Sequence, residues 1–93
     1  MPRVTFSLHA LQAMFERNIT PADVTGVLAA NRTIERYPDD RPYPSRLLLG
    51  WSGPRPIHVV AADNEAEAQI IVITVYEPDL ARWEPDFERR RKQ

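Results

Sequence analysis

Cysteine is absent from the 93 residues, which excludes disulfides, thiolate-bound metals and cysteine nucleophiles. Long apolar runs are absent too. The most apolar stretch is Ile-Ile-Val-Ile at residues 70–73, whereas a membrane-spanning helix needs about 20 apolar residues. The opening MPRVTFSLHA has no continuous apolar core of the kind a secretory leader carries, so the expected location is the cytoplasm, with no membrane partner. Glycine is scarce, at three against nine prolines, and Pro-rich connections are stiff. There is no excess of either charge. The net value is −1, which counts against binding duplex nucleic acid by charge alone. Metal signatures are also missing: there is no His-x-x-x-His, no Glu-x-x-His and no glycine-rich phosphate loop. The chain is therefore expected to use neither metal nor cofactor.

Lysine occurs once, at Lys92, so eleven of the twelve basic residues are Arg. Arginine grips phosphate with two parallel bonds and stacks on bases, although a GC-rich coding bias produces the same excess. Hydrophobic residues at 43% and charged residues at 27% are ordinary globular values. Length and composition predict one domain over residues 1–93, with 88–93 expected as a disordered basic tail.

The pattern along the chain predicts two N-terminal helices followed by four strands. Residues 7–17 read as a helix capped by Ser7. Leu8, Ala10, Leu11, Met14 and Phe15 fall on one broad face, with His9, Gln12, Ala13, Glu16 and Arg17 opposite. Asn18 suits the left-handed turn that ends a helix. Thr20-Pro21 opens the second helix, with Asp23 in its first turn and Val24, Val27 and Leu28 as its buried stripe. Strands are expected at 33–37, 46–51, 57–62 and 69–76, the last apolar on both faces and hence central. The fold class this implies is α+β, with two helices packed on a four-stranded, mainly antiparallel sheet.

Chemistry at neutral pH falls first to the two histidines. His9 lies opposite the apolar stripe of its helix, either idle in solvent or facing a groove. His58 shares one face of its strand with Val60, while Ile57 and Val59 take the other. A histidine inside a sheet needs a hydrogen-bond partner or a task. Tyr76 and Glu77 end the strongest strand, where a rigid element positions side chains well; alternatively, Tyr76 simply covers the core edge. Glu35 and Tyr37 share a face of the first predicted strand, and Glu35 is a candidate base or a surface ion-pair partner. This set suits RNA cleavage through the 2′-hydroxyl. A base takes the hydroxyl proton, Arg17 or Arg55 balances the phosphorus-centred charge, and an acid protonates the leaving oxygen. The reading from the other class is a non-catalytic module that docks protein or RNA.

An ordered series of motifs goes further than composition. It comprises Phe6-Ser7-x-His9-Ala10, Met14-x-Glu16-Arg17-x-Ile19, Ile34-Glu35-x-Tyr37-Pro38-Asp39-Asp40-x-Pro42-Tyr43-Pro44-Ser45, Leu49-Gly50-Trp51, Pro56-Ile57-His58-Val59-Val60, Ile73-Thr74-Val75-Tyr76-Glu77-Pro78 and Trp83-x-Pro85-x-Phe87. Together these resemble the bacterial family called domain of unknown function 4258. The family usually has Gly where this chain has Asn18, and often Arg where it has Ala13. The resemblance implies a small RelE-like toxin, of the RelE, BrnT and MqsR type, often encoded beside an antitoxin-like protein with a Cys-x-x-Cys zinc finger. It carries His9, Arg17, Glu35, Tyr37, His58 and Tyr76 over as the family's polar motif positions. The function expected is a metal-independent endoribonuclease acting on RNA, with His58, His9, Glu35 and Tyr76 in catalysis and Arg17, Arg55 and Tyr37 binding substrate.

Overall fold

Short side chains start and stop the two helices. In the computed structural model, which describes residues 2–92, the Ser7 hydroxyl accepts the Ala10 N–H and opens α1 (Leu8–Arg17). Thr20 and Asp23 form a reciprocal capping box at the head of α2 (Pro21–Ala30), with Pro21 in the first turn. Each helix ends on an asparagine in the left-handed region, Asn18 and Asn31, both with φ 54°. Asn tolerates this region better than most residues, so Asn18 fills a place where glycine also fits.

The remaining elements are β1 (Arg3–Phe6), β2 (Thr33–Tyr37), β3 (Ser45–Ser52), β4 (Arg55–Asn64) and β5 (Gln69–Tyr76). They form one sheet in the order β1-β5-β4-β3-β2. The pairs β2–β3, β3–β4 and β4–β5 are antiparallel, while β1 lies parallel to β5. The expected four-stranded sheet is thus corrected to five strands and to mixed pairing. β1 spans four residues, too few for alternation to register, and its partner lies more than sixty positions downstream. It escapes a reading built on local pattern. β5 is interior, as its two apolar faces predicted, although β4 holds the middle position.

The predicted stripe of α1 also changes. Ala10, Ala13 and Met14 are buried, whereas Leu8, Leu11 and Phe15 are exposed, Phe15 by 89%. The small residues let the helix approach the sheet closely, and that close approach turns the large side chains outward. Ala13, expected on the polar face, is only 1% exposed.

Period-two alternation gives the sheet two unlike faces. Leu48, Ile57, Val59, Ala61, Val72 and Val75 join Met14, Ile19, Val24 and Val27 in a dry core under the helices. Gly50 is required there, since a Cβ would stand 2.6 Å from Val27 Cγ2 and 2.9 Å from Val27 Cα. The opposite face carries Leu47 and Leu49 together with Glu35, Tyr37, His58 and Tyr76, as the pairs Glu35↔Leu47, Leu49↔His58 and His58↔Tyr76 fix. One extra residue in β5, between the pairs Val60↔Thr74 and Ala61↔Val72, makes a bulge just before the Tyr76 end.

The segment after β5 covers this second face. Arg82 and Arg91 join by a backbone bond of 2.9 Å, Glu84 and Arg89 by one of 2.8 Å, and Trp83 bridges Arg90. Residues 82–91 therefore form a small irregular hairpin. Residues 88–92, expected as a solvated tail, carry defined contacts through Glu88, Arg89, Arg90 and Arg91. Gln93 lies outside the described residues. Among the described residues, no helix is long and apolar enough to cross a membrane.

Candidate active site

His58 sits at the centre of the second face, fully buried. Its Nε2 donates to the Phe87 carbonyl at 2.8 Å. A carbonyl can only accept, so the proton is on Nε2. Burial lowers the His58 pKa below its ordinary 6.5, against the opposing pull of the Phe87 carbonyl and Glu35. The ring is therefore neutral near pH 7 and Nδ1 keeps a free lone pair. The Tyr76 hydroxyl, 3.2 Å away, donates to it. Trp83 closes the ring edge-on from the hairpin, with centroids 4.5 Å apart, and Tyr76 does the same from β5 at 5.3 Å. The histidine thus has both the partners its place in a sheet demands.

Glu35 and Tyr37 lie on the same face, as their spacing predicted, and the Tyr37 hydroxyl donates to Glu35 Oε1. Arg90 grips the same carboxylate from the hairpin, Nε to Oε2 at 2.9 Å and Nη2 to Oε1 at 3.2 Å. Burial works to raise the Glu35 pKa, but the bonds from Arg90 and Tyr37 outweigh it and leave it below its ordinary value. A carboxylate so held is a weak proton acceptor and a strong anchor. Arg90 also lies over the Trp83 ring, 4.6 Å from its centroid, a cation–π contact. Tyr76 and Tyr37 are both held above their ordinary pKa by burial, and Tyr37 also by Glu35, so both phenols keep their protons near neutrality.

The sequence-derived candidates therefore divide. Glu35, Tyr37, His58 and Tyr76 come together under the hairpin. His9 does not join them: it is exposed on α1, with Nε2 3.1 Å from Thr74 Oγ1 at the edge of β5. Arg17 reaches the Val75 carbonyl at 3.5 Å. Arg55 is spent on structure, bonding Glu77 and the carbonyls of Arg17 and Asn18 at the end of α1.

The hairpin adds residues that sequence reasoning left out, namely Arg82, Trp83 and Arg90. A cleft of about 450 Å³ lies between β5 and the hairpin, lined by Tyr76, Glu77, Asp79, Arg82, Trp83 and Arg90. The available signal was two aromatic residues, Trp83 and Phe87, four apart in an otherwise charged segment. Apolar anchors of that kind mark a segment that docks. Among the described residues, no three His, Asp or Glu side chains gather as a metal site would require.

In comparison with known proteins, the family model described as Domain of unknown function (DUF4258) matches residues 6–77, and the chain belongs to this family. The match contains Glu35, Tyr37, His58 and Tyr76 and stops before the hairpin, so the Trp83-x-Pro85-x-Phe87 motif lies beyond it. No curated protein and no solved structure matches the chain.

Proposed function

We propose that this chain is a metal-independent endoribonuclease of RelE-like toxin type, acting on RNA in the cytoplasm and checked by a small zinc-finger partner. The observation that carries the reading is the cleft. It is lined by two arginines and by Tyr76, whose hydroxyl is backed by a neutral histidine lone pair. The partner rests on the family resemblance alone. In the reaction, Tyr76 takes the proton of the ribose 2′-hydroxyl while passing its own to His58 Nδ1. O2′ attacks phosphorus, the bond to O5′ breaks, and O5′ takes a proton from solvent, leaving a 2′,3′-cyclic phosphate and a 5′-hydroxyl. Arginine balances the charge that grows on the non-bridging oxygens. His58 works behind Tyr76 and does not touch the substrate.

The test is incubation of purified protein with single-stranded RNA in EDTA. Cleavage with cyclic-phosphate ends is expected, and Tyr76→Phe should lower kcat by about a hundredfold, within the range for a lost proton-transfer group. Loss of cleavage in EDTA, with rescue by a divalent ion, would overturn the chemistry. A second reading, a non-catalytic binding module, draws on one observation: His58, Glu35 and Arg90 are all paired within the chain. It takes over if RNA stays intact and expression of the wild type leaves bacterial growth unchanged.

A further inference from the structure

The cleft that serves the proposed reaction is built from two unlike halves. Tyr76 and Glu77 belong to the sheet and to the region the family model covers, whereas Arg82, Trp83 and Arg90 belong to the hairpin beyond it. The charges of the two halves differ in availability. Glu77 is bonded to Arg55, and Arg90 to Glu35. Asp79 Oδ1 accepts the Ala81 N–H and caps the turn. Arg82 is exposed, and its guanidinium has no hydrogen-bond or ion-pair partner among the described residues. Among the described residues it is the free cation of the cleft that Tyr76 also lines.

Arg82 also sits where the hairpin's own structure holds it. Its N–H bonds the Asp79 carbonyl and its carbonyl accepts from Arg91, both at 2.9 Å. The hairpin in turn is joined to the rest of the chain by specific polar and aromatic contacts. These are the Glu35–Arg90 pair, the Arg32–Glu88 pair, the His58–Phe87 bond, Trp83 against His58 and Phe87 against Trp51. Two of these are doubled: Arg90 donates two bonds to the Glu35 carboxylate, and Arg32 donates two to Glu88. Of these two hairpin residues, Arg90 alone lines the cleft beside Arg82 and Trp83.

We infer that Arg82 is the phosphate-contacting residue of the cleft, and that Glu35 is a positioning residue which holds the hairpin, and Arg82 with it, in place through Arg90. The inference rests on the RNA reading above and assigns Glu35 away from proton transfer. It also replaces Arg17 and Arg55 as the phosphate clamp, since Arg55 is consumed at the end of α1.

The experiment measures binding of a labelled single-stranded RNA oligonucleotide by fluorescence anisotropy, with cleavage kinetics alongside, on the full chain. Arg82→Ala should weaken binding about tenfold, the usual loss for one charge-assisted bond, and raise KM with kcat little changed. Arg36→Ala removes another exposed arginine that has no side-chain partner among the described residues, on the edge strand β2 three strands from β5 and on the opposite face from Glu35, and should leave both unchanged. Glu35→Gln should raise KM and leave kcat at saturating RNA near the wild-type value. In a Trp51→Phe background, where Trp83 is the sole tryptophan, it should also raise acrylamide quenching of Trp83, which is 3% exposed in the closed hairpin. Arg82→Ala binding like the wild type, or no more weakly than Arg36→Ala, overturns the assignment while cleavage by the wild type keeps the RNA reading. Glu35→Gln that lowers kcat without raising KM or Trp83 quenching returns Glu35 to proton transfer and overturns its positioning role. A wild type that neither binds nor cleaves RNA overturns both.

Discussion

The two faces of the sheet are made by the same strands, one residue out of phase, and they follow different rules. Under the helices, Leu48, Ile57, Val59, Val72 and Val75 pack with no buried titratable group. Across the sheet, the neighbouring positions hold His58, Glu35, Tyr37 and Tyr76, and every polar group has a partner. No buried side-chain nitrogen or oxygen is left unbonded among the described residues. Volume governs the first face, and hydrogen-bond matching governs the second. A fold that needed only stability would have no use for the second arrangement, because a satisfied buried polar cluster seldom outperforms well-packed apolar side chains. That contrast is the argument for function on the hairpin side.

The contrast can be tested by substitution on each side, measured by urea denaturation. The largest effect is expected from Leu48→Ala under the helices, at about 2–5 kcal/mol for a fully buried leucine. Gly50→Ala comes next, at about 1–3 kcal/mol, because the added carbon meets Val27 backbone as well as side chain. Neither should change Trp83 quenching in the Trp51→Phe background. His58→Phe keeps most of the ring volume but leaves the Tyr76 hydroxyl and the Phe87 carbonyl without partners, costing about 1–2 kcal/mol. It should raise Trp83 quenching, because the lost bond tethers the hairpin. If His58→Phe is neutral and the hairpin stays closed, the second face obeys the rule of volume after all, and the comparison fails.

Most of the fold was legible because its signals are local. Ser7 and Thr20 announce their helices, and alternation in 57–62 places His58 opposite Ile57 and Val59, although the strands run on to 45–52 and 55–64. The pairing of Glu35 with Tyr37 follows from spacing on one short strand. What escaped depends on partners far away in the chain. β1 is a strand only because β5 runs beside it, and Arg90 is a site residue only because Glu35 waits across 55 positions. The outward turn of Leu8, Leu11 and Phe15 has a different cause. The wheel of α1 allows two apolar stripes, and the sheet selects the one with small residues, which hydrophobicity alone does not favour.

The smallest expected effect separates the faces by pH, since His58, the one buried titratable side chain among the described residues, lies on only one of them. His58 is faced by Tyr76 from β5, by Arg90 from the hairpin and by Glu35 from β2. Its folded pKa is depressed below 6.5, first by burial, while the unfolded histidine takes its proton near 6.5. Between those two values the unfolded chain binds more protons than the folded one, so stability rises with pH. The contribution is complete above the unfolded value and is lost as pH falls from about 6.5 towards the folded one, at no more than about 1.4 kcal/mol per pH unit. Glu35 acts in a lower window. Burial would raise its pKa, but Arg90 and Tyr37 set it below the ordinary 4.5, so its contribution holds above 4.5 and disappears only as pH falls through the folded value. Asp23 and Asp86, also lowered, act below 3.8. The interval from 6.5 down to 4.5 therefore reports on His58. Urea midpoints at pH 7.5 and pH 5.5 should differ for the wild type and for Leu48→Ala, which leaves the second face intact. They should converge for His58→Phe, measured against its own lower baseline. An equal drop in His58→Phe would place the titrating group elsewhere and remove the claim that the hairpin side makes this fold sensitive to pH between 6.5 and 4.5.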